Sequence, residues 1–155
     1  MTGRIDSRNA LVALVDEVSR LHGRLKSVFA DTRRTVKLGE SEMTVLNAVV
    51  EAERPPTVSQ IGRSLGVPRQ LVQRAANTLT ADALIETQPN PDHKRAPLLL
   101  ATAQGRTLKQ RADEAADLIA ADLARDLDMV ATASAVQSLR GVRKALEVQL
   151  RKGRT

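Results

Sequence analysis

Cysteine is absent from the sequence of 155 residues, so disulfide bonds, thiolate metal sites and switches based on thiol oxidation are excluded. Aromatic residues are almost absent as well, since Phe29 is the only phenylalanine and neither tyrosine nor tryptophan occurs. A core must therefore be built from leucine, valine, isoleucine, alanine and methionine. This composition favours helices, because alanine and leucine are strong helix formers.

Long apolar runs are also missing, and none approaches the roughly 18 residues that a membrane-spanning helix needs. The N-terminal stretch ALVALV is followed directly by Asp16 and Glu17, which differs from the pattern of a signal peptide. We therefore expect a cytoplasmic protein that has no membrane partner.

The usual signals of catalysis and cofactor binding are not found. His93 lies in a charged segment where nothing would orient it as a base, and His22 lies among the basic side chains of a predicted helix. No glycine-rich phosphate loop and no metal-ligand spacing occurs. Acids that share one side of a predicted helix are typical of a solvated face, and these are Asp113, Glu114 and Asp117. We expect no enzymatic activity, no cofactor and no metal site.

Basic residues, in contrast, are in excess, and the formal net charge is +6. Such a balance favours a polyanionic partner, either nucleic acid or an anionic membrane surface. Because 42% of the residues are hydrophobic, the chain can bury a core. Its length fits one domain, or one domain with a long helical extension.

Long helices are predicted at both ends of the chain. Apolar residues recur at three- and four-residue steps over residues 8–35, from Thr102 to about Asp128, and from about Thr132 to Leu150. The first stripe contains Leu11, Leu14, Val15, Val18, Leu21, Leu25, Val28 and Phe29. The later stripes contain Leu108, Ala112, Ala115, Ile119, Leu123, Leu127, Val136, Leu139, Val142, Leu146 and Leu150. These stripes are too extensive for one small core, so we expect them to face a second subunit.

Three shorter helices are predicted between these ends. The first runs from about Glu40 to Glu51. Thr57 and Gln60 have the spacing of a capping box, which starts a short helix that Gly66 terminates. Pro68 lies at or beside the first position of the third helix, where its missing N–H costs nothing. The apolar arc of this third helix holds Leu71, Val72, Ala75, Ala76 and Leu79, and its polar arc holds Arg69, Gln70, Gln73, Arg74, Asn77, Thr78 and Thr80.

Two short strands are predicted next, within LIETQ (84–88) and PLLLAT (97–102). The segment PNPDHKRA between them is rich in proline and charge, which indicates a hairpin loop. The hairpin therefore has a basic tip that carries His93, Lys94 and Arg95.

A short helix, a tight glycine turn and a second helix with a donor-rich face form the helix-turn-helix arrangement. Arginine can bond both acceptors of guanine and glutamine can pair with adenine, so this face suits the reading of base edges. Taken alone, the face is equally consistent with a solvated helix, but the basic hairpin lies where it would reach an adjacent groove or phosphate strand. The candidate DNA-binding residues are Arg63, Arg69, Gln70, Gln73, Arg74, Asn77, Thr78, His93, Lys94 and Arg95.

The segment from Thr57 to Leu108 resembles the winged helix-turn-helix core of the MarR family of bacterial transcriptional regulators. Two positions depart from the family pattern, because Pro68 stands where serine or threonine is frequent and Ala101 stands where leucine is common. The resemblance rests on Ile61, Leu65, Gly66, Val67, Arg69, Gln70, Val72, Arg74, Leu79, Leu84, Asp92, Lys94, Arg95, Thr102 and Gly105.

This resemblance implies a mainly α (α+β) protein, with a winged helix-turn-helix core at residues 39–102 between dimerisation helices at residues 1–38 and 103–155. It further implies a homodimeric repressor that reads a near-palindromic operator and is released by a small ligand. Asp92 would organise the wing. Phe29 and Met43 would line a ligand pocket or belong to the core, so the ligand site is left open. The alternative is a nonspecific, architectural protein that binds double-stranded DNA without an effector.

Overall fold

The structure, a computed structural model, describes residues 7–152 and contains mostly helices with one small sheet. The helices are α1 (Ser7–Val28), α2 (Ala30–Val36), α3 (Glu40–Val50), α4 (Val58–Leu65), α5 (Arg69–Ala81), α6 (Ala103–Leu123) and α7 (Met129–Lys152). The strands are β1 (Ile85–Gln88) and β2 (Leu98–Ala101). The chain divides into two compact units between Ala116 and Asp117. This architecture confirms the predicted fold class, whereas the predicted division at residues 38 and 102 stays a prediction.

The core lies where α3, α4, α5 and the sheet meet, and its buried side chains are aliphatic. Leu46, Val72 and Leu79 are completely covered. The remaining buried members are Val45, Val49, Val58, Ile61, Ala75, Ala76, Leu84, Ile85 and Leu99. Leu65 is 39% exposed, because it is the last residue of α4 and precedes the turn.

The sheet is an antiparallel hairpin in which Ile85 pairs with Ala101 and Gln88 pairs with Leu98. It is held to the rest of the unit by hydrogen bonds outside the strands. The amide of Leu99 donates to the carbonyl of Pro56 at 2.8 Å, which attaches β2 to the segment before α4. The hairpin therefore has a fixed position beside the helix-turn-helix.

Thr102 caps α6 and links it to the segment that follows α5. Its hydroxyl donates to the Ala83 carbonyl at 2.7 Å and accepts from the Gly105 amide at 3.0 Å. At Gly105 the helix comes so close to the chain that a Cβ atom would overlap the Leu84 carbonyl oxygen. Glycine is required here because of this close approach.

The predicted single helix over residues 8–35 is wrong, because the structure has two helices that meet at Phe29. The last bond of α1 runs from the Phe29 amide to the Leu25 carbonyl at 2.9 Å. A new helix then starts with Asp31 in its first turn, where a carboxylate is favourable near the helix N-terminus. Neither glycine nor proline marks this break in the sequence.

The boundary between the last two helices also differs from the prediction. The helix that was expected to reach Asp128 ends at Leu123, and the next one starts at Met129 rather than at Thr132. The reason is the Asp128 carboxylate, which accepts from the amides of Val130 and Ala131, each at 3.0 Å. Asp128 is therefore the N-cap of α7, since aspartate satisfies the free donors at a helix start.

Apolar side chains remain exposed on α1 in the first unit and along the second unit. On α1, Val12 is 62% exposed and Val15 is 58% exposed. In the second unit, the exposed positions are Leu118, Leu127, Met129, Val130, Val136, Leu139, Leu146, Val148 and Leu150. Over residues 7–152, no helix is long and apolar enough to cross a membrane.

Candidate nucleic-acid interface

The turn between α4 and α5 fixes the angle at which the second helix leaves the first. Thr57 and Gln60 form the predicted capping box: the Thr57 amide donates to Gln60 Oε1 at 2.7 Å, and the Gln60 amide donates to Thr57 Oγ1 at 3.3 Å. At the other end of α4, Gly66 is left-handed, with φ of 68° and ψ of 27°. Glycine adopts this conformation without strain, so it can end a helix and redirect the chain at once.

Helix α5 has one buried and one exposed face, as the two arcs predicted. The amides of Leu71 and Val72 both donate to the Pro68 carbonyl, so the helix begins immediately after the proline. Val72, Ala75, Ala76 and Leu79 are buried against the core. The candidate side chains of this helix are all exposed, and they are Arg69, Gln70, Gln73, Arg74, Asn77 and Thr78. Burial of the apolar arc thus presents the polar arc to solvent.

The polar face of α5 keeps its positive charge uncompensated. Among the described residues, no carboxylate forms an ion pair with Arg69 or Arg74. Gln73 Nε2 donates to Asn77 Oδ1 at 2.9 Å, which leaves Gln73 Oε1 and the Asn77 amino group to act as acceptor and donor. Thr78 donates its hydroxyl proton to the Arg74 carbonyl at 3.2 Å, so this hydroxyl faces a ligand as an acceptor.

The hairpin loop is closed by a residue that the sequence analysis missed. Asn90 Nδ2 donates to the Ala96 carbonyl at 2.9 Å, and Asn90 Oδ1 accepts from the Asp92 amide at 3.0 Å. Asp92 takes part in this network through its backbone. The asparagine was recognisable as a turn residue, because its side chain bonds the backbone two residues ahead. His93, Lys94 and Arg95 are exposed on the loop.

A groove with a volume of about 990 Å³ lies between the hairpin loop and the helix-turn-helix. We call it the basic groove, because the basic residues in its lining are Arg54, Arg63, Arg69, His93 and Arg95, and Asp92 is the single acid of the lining. Arginines in such a concave surface attract a polyanion and can bond phosphate oxygens or base edges. Arg54 was not among the sequence candidates, since it stands alone before Pro55 and Pro56 without a motif.

The structure brings only some of the predicted residues together at this groove. Arg63, Arg69, Asp92, His93 and Arg95 line it. The other candidates on α5 lie along its exposed face, and Lys94 lies on the loop without lining the groove. A basic groove beside an exposed, donor-rich helix is the arrangement expected of a winged helix that binds DNA.

Comparison with known proteins assigns the chain to a family. The sequence model described as MarR family matches residues 37–96, which include α3, α4, α5 and β1. The chain belongs to the MarR family. Members of this family are DNA-binding transcription regulators, so the protein is a regulator of transcription and not an enzyme.

Relatives of this MarR-family protein occur in mycobacteria and among solved structures. The uncharacterized protein Rv2011c of Mycobacterium tuberculosis is 34% identical over 139 residues, which cover 86% of this chain and 97% of that protein. A mutant of MarR from E. coli complexed with operator DNA has a TM-score of 0.73 at 18% identity, covering 88% of this chain and 98% of that chain. CouR from Rhodococcus jostii RHA1, bound to p-coumaroyl-CoA, has a TM-score of 0.69 at 17% identity, covering 84% of this chain and 88% of that chain. At these identities the two structures show a shared winged helix fold.

A second concave site of the MarR-family chain lies inside the first unit. We call it the inner cavity; its volume is about 310 Å³, and α1, α2, α3 and α6 contribute to its wall. Its apolar lining residues are Leu25, Phe29, Met43, Ala112 and Ala116. Phe29 and Met43 thus lie at a cavity, whereas the sequence left open whether they belong to the core. The break between α1 and α2 places Phe29 in this wall.

The polar lining of the inner cavity is His22, Lys26, Thr32, Glu40, Thr44, Asn47 and Asp113. Lys26 Nζ forms an ion pair with Glu40 Oε2 at 2.6 Å. Within the described residues, Thr32 Oγ1 and Asn47 Oδ1 are buried without a hydrogen-bond partner.

Lys109 lies next to the inner cavity and was not recognised from the sequence. It is only 7% exposed, and Nζ bonds both carboxylate oxygens of Asp113 at 2.6 Å and pairs with Glu51 at 3.2 Å. Burial by itself lowers the pKa of Lys109, but the hydrogen bonds and charges of Asp113 and Glu51 outweigh it and raise that pKa above 10.5. The cluster joins α6 to the end of α3.

Proposed function

We propose that the protein is a homodimeric repressor that binds a near-palindromic operator and is released from it by a small ligand. In this proposal α5 enters the major groove of DNA, and Arg69, Gln70, Gln73, Arg74, Asn77 and Thr78 contact base edges and the adjacent backbone. The wing contacts phosphate or the minor groove through His93, Lys94 and Arg95, and Arg63 contacts phosphate. The protein acts where chromosomal DNA lies, in the cytoplasm.

The observation that carries the proposal is the exposed polar face of α5. Its arginines have no carboxylate partner among the described residues, and its amides offer both donors and acceptors. A helix face that only contacts water does not need this combination of arginines and amides, whereas base edges in the major groove offer acceptors and donors that match them. The basic groove beside the helix supplies the positive charge that a phosphate backbone requires.

Dimerisation is supported by the apolar side chains that each unit exposes. Val12 on α1 and Val130 on α7 are 62% and 83% exposed, and valine at such positions gains free energy when a partner covers it. A second copy of the chain is the partner that also explains DNA reading, because two α5 helices related by a two-fold axis read two half-sites.

Release by a ligand is supported by the inner cavity and by relatives in the fold. CouR was crystallised with p-coumaroyl-CoA, and PcaV from Streptomyces coelicolor was crystallised with its natural ligand. In this chain, residues of α1 and α3 line the inner cavity. A ligand there can favour one placement of these helices over another, which is the requirement for a change in DNA affinity.

The proposal is tested by selecting DNA from the genome of the source organism. Sheared fragments retained by the protein are sequenced, and an enriched duplex is compared with a shuffled duplex by fluorescence anisotropy at fixed salt. We expect the enriched duplex to bind at least about 10³-fold more tightly, as specific sites do. In transcription from a promoter that contains the site, the protein should lower the yield of transcript. Equal affinity for both duplexes would instead support the architectural alternative, and a raised yield would replace repression by activation.

A further inference from the structure

An arginine outside the helix-turn-helix and the hairpin loop also lines the basic groove. Arg54 lies in the segment between α3 and α4, and it is exposed to solvent. The other arginines of the lining are Arg63 on α4, Arg69 at the start of α5 and Arg95 on the hairpin loop. The groove therefore gathers guanidinium groups from separate parts of the chain.

The backbone that carries Arg54 is held on both sides. Before it, the Glu51 amide donates to the Asn47 carbonyl at 2.9 Å, which ends α3. After it, the Pro56 carbonyl accepts from the Leu99 amide at 2.8 Å, which ties the segment to β2. Proline at positions 55 and 56 fixes φ there, and a residue before proline has few allowed conformations. Binding through Arg54 therefore orders little additional chain, which lowers the entropic cost of the contact.

The positive charge of the groove is not neutralised within the described part of the chain. Among residues 7–152, no carboxylate forms an ion pair with Arg54, Arg63 or Arg95. Guanidinium groups gathered on one concave surface repel one another, and the field that they produce attracts a polyanion. Arginine also binds phosphate oxygens through two parallel hydrogen bonds. A strand of the DNA backbone fits both properties.

We infer that Arg54 binds a phosphate of the DNA backbone, which adds a contact from a segment outside the helix-turn-helix and the wing. The position of the groove favours a phosphate over a base. Arg69, the first residue of α5, is the only residue of that helix in the groove lining, so the groove borders the start of α5 rather than its whole polar face. The inference rests on the proposed function only in taking DNA as the ligand, and it does not require a specific operator.

The contact is tested with Arg54→Ala in the full-length protein. Binding to the enriched duplex and to its shuffled counterpart is measured by fluorescence anisotropy over a series of salt concentrations. We expect the slope of log affinity against log salt to flatten by about one unit for both duplexes, because one phosphate contact is lost. At the lowest salt concentration, both affinities should fall about tenfold. An unchanged slope would overturn the inference, and so would a loss of affinity confined to the enriched duplex, which would assign Arg54 to a base.

Two variants control for charge and for position. Arg54→Lys keeps the positive charge and should keep the slope. Arg111→Ala removes the same charge from an exposed position of α6 that does not line the groove, so its slope should remain close to that of the wild type. Flattening in either control as large as in Arg54→Ala would overturn the inference, because the charge at position 54 would then not be what contacts DNA.

The shuffled duplex separates this inference from the proposed function. If the wild type binds both duplexes equally, specific repression fails, whereas a flattened slope in Arg54→Ala still supports the phosphate contact. If the wild type prefers the enriched duplex and Arg54→Ala behaves like it, the regulator stands and the contact is wrong. Urea unfolding of Arg54→Ala should match the wild type, since Arg54 is exposed and has no ion pair among residues 7–152. A lower midpoint would assign the effect to folding and overturn the contact.

Discussion

Arg74 is the residue on which sequence discrimination is best tested. It is exposed near the middle of α5, and no carboxylate within the described residues pairs with it. We expect Arg74→Ala to weaken binding to the operator by about 1–3 kcal/mol, because a bidentate contact to a base is lost. The fold should be retained. The measurement is anisotropy with operator and random duplexes at one salt concentration.

The control for Arg74 is Arg111→Ala, which removes the same charge from an exposed position on α6. This variant should keep most of its operator affinity, since only long-range attraction is reduced. Equal losses on operator and random DNA in Arg74→Ala would assign Arg74 to phosphate rather than to a base.

Lys109 allows a prediction about how the stability of the protein depends on pH. Its pKa is raised above the ordinary value of 10.5, so its ion pairs stabilise the folded state fully below that pH. As the pH rises through the folded pKa, lysine loses its charge and this contribution is lost. We expect Lys109→Met to lower the free energy of unfolding by about 1–2 kcal/mol at pH 8. The difference between variant and wild type should shrink as the pH rises above 10.5.

Urea unfolding at fixed protein concentration measures this difference, and subtraction of the two curves removes the titration of all other groups. A difference that stays constant as the pH rises well above 10.5 would show that packing of the Lys109 stem, rather than its charge, stabilises the cluster.

At the scale of elements, Gly105 determines how closely α6 approaches the end of α5 and the start of β1. A Cβ atom at this position would overlap the Leu84 carbonyl oxygen, which is backbone and cannot rotate away. We expect Gly105→Ala to destabilise the protein by about 2–3 kcal/mol, measured by urea unfolding at fixed protein concentration. Gln104→Ala, at the exposed neighbouring position, should change stability by less than about 0.5 kcal/mol. Similar values for both variants would mean that α6 shifts without cost.

The wing is a second element whose role can be measured by itself. Lys94 and Arg95 are exposed on the loop that Asn90 closes, and Arg95 also lines the basic groove. Replacing both by alanine should flatten the slope of log affinity against log salt by about one unit for each lost phosphate contact. The exchange Lys94→Arg with Arg95→Lys keeps both charges and should keep the slope. An unchanged slope in the alanine variant would mean that the loop does not touch DNA.

The elements that the sequence predicted well are those whose signals are local. The capping box at Thr57, the glycine turn at Gly66 and the two arcs of α5 each depend on neighbouring residues, and the structure contains all three. The break at Phe29 could not be predicted, because the apolar period continues through it and neither glycine nor proline marks it. Lys109 was missed for another reason. Its partner Glu51 is distant in the sequence, and only folding brings the two together.

Within the candidate site, the sequence predicted which residues are exposed and basic, but it did not predict which of them lie together in one groove. The polar face of α5 and the basic loop were predicted, and the structure exposes both. Arg69 and Arg95 share one groove because the hairpin packs beside the helix-turn-helix, a placement to which the bond between Leu99 and Pro56 contributes and which has no sequence signature. Arg54 enters the groove through the same placement. The contacts of these residues with DNA stay predictions.

At the scale of the whole molecule, the exposed apolar faces make assembly the property to test. One recognition helix covers a few base pairs, too few to select a site in a genome. Two copies related by a two-fold axis would meet major grooves about one helical turn apart, roughly 10–10.5 base pairs. The apolar side chains on α1, such as Leu11 at 52% exposure, and on α7, such as Leu146 at 46%, supply surface for such a pairing without DNA.

We therefore expect a stable dimer at about 1–10 µM protein, since homodimer interfaces bury large apolar areas. Leu14→Glu combined with Leu146→Glu places charges within both stripes and should yield a monomer, because burying unpaired carboxylates is costly. The variant should also lose operator binding, although its α5 is intact. Gln137→Glu adds a carboxylate at an exposed polar position of α7 and should remain dimeric. Sedimentation equilibrium without DNA decides the matter, because a wild-type monomer that still binds one half-site tightly would contradict the dimeric repressor.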